Sequence, residues 1–127
     1  PQLEEKQIQI IKNFDPFLPE IMADSAMLYQ AFLNILINAS QSLPPNGTIT
    51  IGARHENGCI RIDFIDDGQG IDDDILKKIW TPFFTTKDTG TGLGLGIVKN
   101  IIEAHTGTIE IKNNNSGGAI VTIILPV

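Results

Sequence analysis

Three stretches of this 127-residue chain carry residue types that are costly to keep if the chain only has to fold. The first is Asp66-Asp67-Gly68-Gln69-Gly70. Glycines on either side of Gln69 permit a tight backbone turn close to a ligand, and the carboxylate just before it can accept hydrogen bonds from an amine. A solvated acidic turn is the plain alternative. A calcium loop fits poorly, because the glycine comes too early and no glutamate occupies the twelfth position. The second stretch is Gly90-Thr91-Gly92-Leu93-Gly94-Leu95-Gly96, with a glycine at every other position leading into a helix. Each glycine in a helix start costs up to ~1 kcal/mol, so the run points to backbone amides that must approach something. A polyanion at the helix N-terminus would fit there, and a flexible hinge is the alternative. The spacing matches neither a P-loop nor a dinucleotide fingerprint, and the accompanying motifs of eukaryotic-type protein kinases are missing. The third stretch places Asn34 and Asn38 four apart, on one helix face, followed by Ala39 and Gln41. Amide oxygens are neutral hard ligands suited to helping hold Mg²⁺ that already carries phosphate charge, although an Asn pair by itself reads as helix surface.

The elements that must position these residues follow from hydrophobic periodicity. Gln7 to Phe14 alternates through Ile8 and Ile10 and predicts a strand. Pro16 and Pro19 then interrupt the chain before a short extended piece at Ile21 and Met22. A helix is expected from Asp24, its cap, to Leu43, with Met27, Leu28, Ala31, Phe32, Ile35 and Leu36 inward. Thr48 to His55 and Ile60 to Phe64 alternate on either side of Asn57-Gly58 and predict a hairpin. A short helix is expected at Asp72 to Ile79 and a polar loop at Thr81 to Gly92. A second long helix should run from Leu93 to His105 with Ile97, Val98, Ile101 and Ile102 inward, stopped by Gly107. Strands at Thr108 to Lys112 and Ala119 to Leu125 close the domain. Alternation leaves one sheet face apolar, so helices should cover that face only and form a two-layer sandwich.

Composition narrows the functional classes. The 42% hydrophobic and 19% charged fractions suit a folded domain, and no apolar run approaches the ~20 residues of a membrane helix. Fifteen acids against nine bases leave a net charge of −6 and no basic cluster to collect a phosphate backbone, so nucleic acid is not expected as a partner. The single cysteine, Cys59, cannot form an intrachain disulfide, which fits a reducing cytoplasm. The chain begins at Pro1 without a signal-peptide pattern, and an origin in a longer polypeptide is expected. Residues 1–6 read as a linker remnant and residues 7–127 as one domain.

In this order and separation the three stretches resemble the ATP-binding superfamily of gyrase, the ninety-kilodalton heat-shock chaperone, histidine kinases and mismatch-repair ATPases. Within it they look like the catalytic domain of bacterial sensor histidine kinases. Leu33-Asn34-Ile35-Leu36-Ile37-Asn38-Ala39 resembles the N box, Asp66 to Gly70 the first glycine box and Gly90 to Gly96 the second. Pro82-Phe83-Phe84-Thr85-Thr86-Lys87 resembles the phenylalanine box, and Gly117-Gly118-Ala119 the closing glycine turn. The Phe-Thr-Thr-Lys run and Gln41, where many histidine kinases have a basic residue, look most like the nitrogen-regulator type; Gly96 stands where alanine is more usual. The resemblance implies an α+β fold of Bergerat type: a mixed, largely antiparallel sheet covered on one face by about three helices.

The resemblance also implies roles. Asp66 would bind the adenine amine, Asn38 would coordinate Mg²⁺ and Asn34 would lie beside the phosphates as a catalytic residue. Gly68, Gly70, Ile71, Gly90, Gly92, Leu93, Gly94 and Leu95 would shape the nucleotide pocket. Thr85 to Thr91 would form a short lid, with Phe83 and Phe84 packing at its base, Lys87 as a phosphate contact and catalytic residue beside Asn34, and Phe83, Thr86 and Thr91 among the nucleotide-binding residues. ATP-hydrolysing branches of the superfamily resemble one another in a glutamate four residues before the Mg-binding Asn, where this chain has Asn34. An amide cannot usefully accept a proton, so transfer to an external nucleophile is favoured over hydrolysis. The expected acceptor is a histidine on a separate dimerisation domain, with a response regulator reached through the full-length kinase. His55 and His105 read as solvated or structural, Lys99 and Asn100 as helix surface, and Trp80 as packing beside the lid. A regulatory nucleotide-binding module and an anti-sigma-type serine kinase are the alternatives.

Overall fold

In a computed structural model, which describes residues 7–78, 80, 93–114 and 117–127, the two alternating arms form strands β2 (Thr48–Glu56) and β3 (Cys59–Asp66). Glu56 pairs with Cys59, so the turn holds only Asn57 and Gly58, at φ 55° and 74°. Positive φ at both positions is the type I′ geometry whose twist matches the flanking strands. The remaining elements are β1 (Gln9–Phe14), α1 (Ser25–Ser42), α2 (Asp73–Lys78), α3 (Leu93–Ala104), β4 (Thr108–Asn113) and β5 (Ala119–Pro126). The strand order is β1-β2-β3-β5-β4, with β1 parallel to β2 and the other neighbours antiparallel. This is the mixed, largely antiparallel sheet expected, joined to three helices.

Register puts Ile51, Phe64, Val121 and Ile111 in one row across four strands, all on the same face. Onto that face pack Leu28, Ala31 and Ile35 of α1 and Val98, Ile101 and Ile102 of α3, forming one buried cluster with Phe64, Ile123 and Leu125. Phe32 meets Phe64 in a tilted contact with ring centroids 5.7 Å apart. Ile97 and Met27, expected inward, are 38% and 37% exposed. Each immediately precedes the buried residue that marks the inward stripe, Val98 or Leu28, so it falls at the stripe's edge rather than its centre. The opposite sheet face carries a polar network in which Asp63 accepts from Thr122 Oγ1 at 2.7 Å and pairs with Arg61 at 3.2 Å.

β1 begins at Gln9 rather than Gln7, and all six of its residues are exposed, because it is an edge strand beyond the reach of the helices. The extended piece expected at Ile21 and Met22 is not a strand: Ile21 packs against the core while Met22 is almost fully exposed. The second long helix ends by a Schellman motif. Thr106, at φ 62°, is its left-handed residue, with Thr106 N–H donating to Glu103 O and Gly107 N–H to Ile102 O at 3.0 and 2.9 Å. The stop expected from Gly107 is therefore made by Thr106. Ile79, the expected end of the short helix, lies outside the described residues. None of the helices described is long and apolar enough to cross a membrane.

The two long helices are also tied end to end. Asp24 caps α1, its carboxylate accepting from Met27 N–H at 3.1 Å. The Asp24 N–H donates to His105 Nε2 at 3.0 Å, and His105 Nδ1 donates to Ile101 O at 2.8 Å. His105 thus has a structural role, both ring nitrogens being engaged with backbone groups. Asp24→Ala removes the cap but keeps the backbone bond to His105, so the expected loss is about 1 kcal/mol, seen as a Tm lower by about 4 °C in thermal unfolding.

Candidate functional site

A cleft opens where the sheet runs out beneath the two long helices. Asp66 ends β3 two residues beyond Phe64, and the period of two turns its side chain to the helix side. Its Oδ1 accepts from Gly68 N–H at 3.0 Å and from Ala119 N–H at 3.1 Å. The first bond tightens the turn that follows, and the second ties the end of β3 to the start of β5. Neither uses Oδ2, which among the described residues is the carboxylate's remaining acceptor. Gly118, at φ 82°, lies so close to Asp66 that a Cβ there would run into its main-chain oxygen. The adjacent Asp67 turns away, its Oδ1 accepting from Thr48 N–H at 3.0 Å.

The remaining walls come from five segments. α1 supplies Ile35, Asn38 and Ala39, and α3 supplies Leu95. Ile111, Ala119 and Val121 rise from β4 and β5, and Gly70 and Ile71 close one side from the turn after β3. The cleft takes in about 540 Å³, counting the open solvent at its mouth. Asn38 and Asp66 carry the only polar side chains among these lining residues. An apolar slot whose lining includes one carboxylate and one amide suits a flat heteroaromatic ring bearing an amine.

Of the residues singled out in the sequence, Asn38, Asp66, Gly70, Ile71 and Leu95 meet in this cleft. Gly68 does not line it and acts through Asp66 instead. Asn34 is half-buried one turn before Asn38 and does not line it. Leu93 and Gly94 open α3, and their side-chain surroundings are outside the described residues. So are Phe83, Phe84, Thr86, Lys87, Gly90, Thr91 and Gly92, and with them the expected lid. Lys99 does not simply face solvent: its Nζ stands 5.3 Å from the ring centroid of Trp80, a cation–π contact. Trp80 therefore packs on α3.

Sequence reasoning missed Asn113. This last residue of β4 spans the chain to Ile71, with Oδ1 accepting from Ile71 N–H at 2.7 Å and Nδ2 donating to Ile71 O at 2.6 Å. In the sequence it opens an Asn-Asn-Asn-Ser-Gly-Gly run, whose composition speaks only of a turn. The apolar floor was also missed as a site, since Ile111, Ala119 and Val121 alternate like any core strand.

Among the described residues no group of three or more His, Cys, Asp or Glu side chains is placed to hold a metal ion. Asn38 offers one neutral oxygen. That donor set fits a hard cation whose charge is balanced by a ligand's phosphates, not a metal caged by the protein.

Comparison with known proteins gives one consistent picture. The sequence matches the family described as histidine kinase-, DNA gyrase B-, and HSP90-like ATPase over residues 23–127. It is 43% identical over 122 residues to the sensor histidine kinase ZraS of Escherichia coli O157:H7, covering 96% of this chain and 27% of that protein. The chain thus spans about a quarter of that relative's length. The fold is similar to the catalytic domain of the histidine kinase ThkA, with a TM-score of 0.87 and 31% identity over 98% of this chain and 82% of that one. It is also similar to full-length ShkA solved in complex with AMPPNP, with a TM-score of 0.85 and 31% identity over 99% of this chain and 27% of that one.

Proposed function

Because this chain belongs to the histidine kinase-, DNA gyrase B-, and HSP90-like ATPase family, we propose that it is the ATP-binding catalytic portion of a two-component sensor histidine kinase. It binds Mg-ATP and donates the γ-phosphoryl group to a histidine on a separate dimerisation domain of the same kinase. The observation that carries this reading is the cleft in which Asp66, its Oδ1 held by Gly68 N–H and Ala119 N–H, lines an otherwise apolar slot built from α1, α3 and the sheet end. Its adenine amine would donate to Oδ2 while Ile35, Ala39, Leu95, Ile111 and Val121 flank the ring. That a neighbour of the same fold was solved with AMPPNP supports the same use of the site.

Asn38 Oδ1 is the protein ligand best suited to Mg²⁺, which would supply charge neutralisation along the phosphates when bound. Asn34, one turn earlier, is an amide and cannot take a proton from water, which favours transfer over hydrolysis. The backbone amides of the second glycine box and the Lys87 side chain are assigned to the phosphates by family resemblance, with Thr86 and Thr91 counted among the nucleotide-binding residues. In the transfer an imidazole nitrogen of the acceptor attacks the γ-phosphorus, and the bond from that phosphorus to the β–γ bridging oxygen breaks. ADP departs with the electron pair, and the acceptor's ring proton passes to solvent. Phosphoryl transfer of this kind depends chiefly on in-line positioning and electrostatics, so the chain needs no nucleophile of its own.

The reading places the domain in the cytoplasm, in contact with nucleotide and its own dimerisation domain, without nucleic acid or direct membrane contact, and linked to a response regulator through the full-length kinase. Mixing the chain with γ-labelled ATP, Mg²⁺ and the histidine-bearing domain of the same kinase in trans should give an acid-labile label on that domain. An acid-stable label would favour a serine kinase. No label from a chain that still binds ADP would leave a regulatory nucleotide-binding module.

A further inference from the structure

We propose that Asn113 is a positioning residue of the cleft: its carboxamide holds Ile71 and thereby sets the affinity for nucleotide. This rests on the nucleotide-binding reading above. Ile71 belongs to no helix or strand, yet its N–H and C=O are both paired with one side chain 42 residues further along the chain. Bonds of 2.7 and 2.6 Å to both backbone groups fix a peptide's position and its rotation together. Gly70 is what lets the carboxamide in: at φ 81° it carries no side chain, and a Cβ there would stand 2.8 Å from Asn113 Oδ1.

The arrangement makes the turn after β3 a span between two anchors. At one end Asp66 is tied to β5 through Ala119 N–H. At the other Ile71 is tied to β4 through Asn113, which itself pairs with Ala119 in the sheet. Gly70 and Ile71 form part of the cleft wall, so releasing the second anchor lets the wall sample positions that do not bind. Apparent affinity then falls by the fraction of molecules in the competent arrangement. Asn113 is exposed at the end of an edge strand, so its bonds bear on the loop much more than on the core.

The test compares the wild-type chain with Asn113→Leu, which has similar bulk and neither hydrogen bond, and with Lys112→Leu on the opposite face as a control. ADP affinity is read by calorimetry in Mg²⁺, the Tm by thermal unfolding without nucleotide, and the Ile71 amide by hydrogen exchange. The expected result for Asn113→Leu is an ADP Kd raised about tenfold, a Tm within about 3 °C of wild type and a deprotected Ile71 amide. Lys112→Leu should leave all three unchanged. Wild-type affinity in Asn113→Leu would overturn the inference alone. Unfolding of Asn113→Leu, or an equal loss of affinity in Lys112→Leu, would make the effect one of strand stability and would overturn it too. Failure of the folded wild type to bind ADP would overturn the nucleotide reading and this inference with it.

Discussion

Asp66→Asn should weaken ADP binding by about 100-fold and leave the fold in place. The substitution exchanges one oxygen for an amide group while keeping the other. Oδ1 already accepts from Gly68 N–H and Ala119 N–H, and an asparagine carbonyl oxygen can keep both bonds. Its amide then occupies the position of Oδ2 and turns two donors toward an adenine amine that also donates. The charge-assisted bond disappears and a donor meets a donor, together about 1.5–3 kcal/mol, of which 100-fold is the upper part. The Tm without nucleotide should stay within a few degrees of wild type, because the structural half of the carboxylate is retained. Calorimetric titration with ADP, with and without Mg²⁺, reads the affinity. An unchanged Kd would remove Asp66 from the site, whereas an equal loss of stability and affinity would make its role structural.

What could be read from the sequence was what local pattern encodes. The hairpin at Asn57-Gly58, the Asp24 cap and the inward stripe of α1 depend on neighbours within a turn or two, and the structure follows them closely. Asp66, Asn38, Gly70, Ile71 and Leu95 were marked by residue type and resemblance, and the cleft brings them together. Misreadings arose where a residue's fate depends on something far along the chain. β1 has the alternation of a half-buried strand, but its place at the sheet edge leaves it exposed on both faces. Thr106 could not be recognised as a helix stop because β-branched residues seldom adopt positive φ, and the glycine beside it drew the reading. Asn113 makes its bonds across 42 residues, and nothing within its own turn distinguishes it from Asn114 or Asn115.

Gly118→Ala should be the most damaging added methyl among the glycines whose surroundings the structure describes, and a comparison with Gly117→Ala shows why. Both glycines have positive φ, 82° and 102°, so both substitutions carry backbone strain of about 1–2 kcal/mol. At Gly117 the added carbon meets nothing within 4 Å among the described residues. At Gly118 it would collide with Asp66 O and stand 2.8 Å from Asp66 C and 2.9 Å from Asp66 Oδ1. Backbone atoms of a central strand cannot step aside cheaply, because β3 is hydrogen-bonded to β2 on one side and β5 on the other. Either β5 moves away, breaking the Ala119 N–H bond that holds the carboxylate, or the end of β3 is displaced with Asp66 on it. Strain and overpacking together should cost about 3–5 kcal/mol, a Tm fall of about 15 °C, against about 1–2 kcal/mol at Gly117. The Gly118→Ala protein that remains folded should bind ADP at least tenfold more weakly than Gly117→Ala, since its strain is concentrated on the residue that faces the ligand. Equal thermal shifts in the two variants would mean that the hairpin end moves freely, and that the close packing of Gly118 on Asp66 does not hold the cleft.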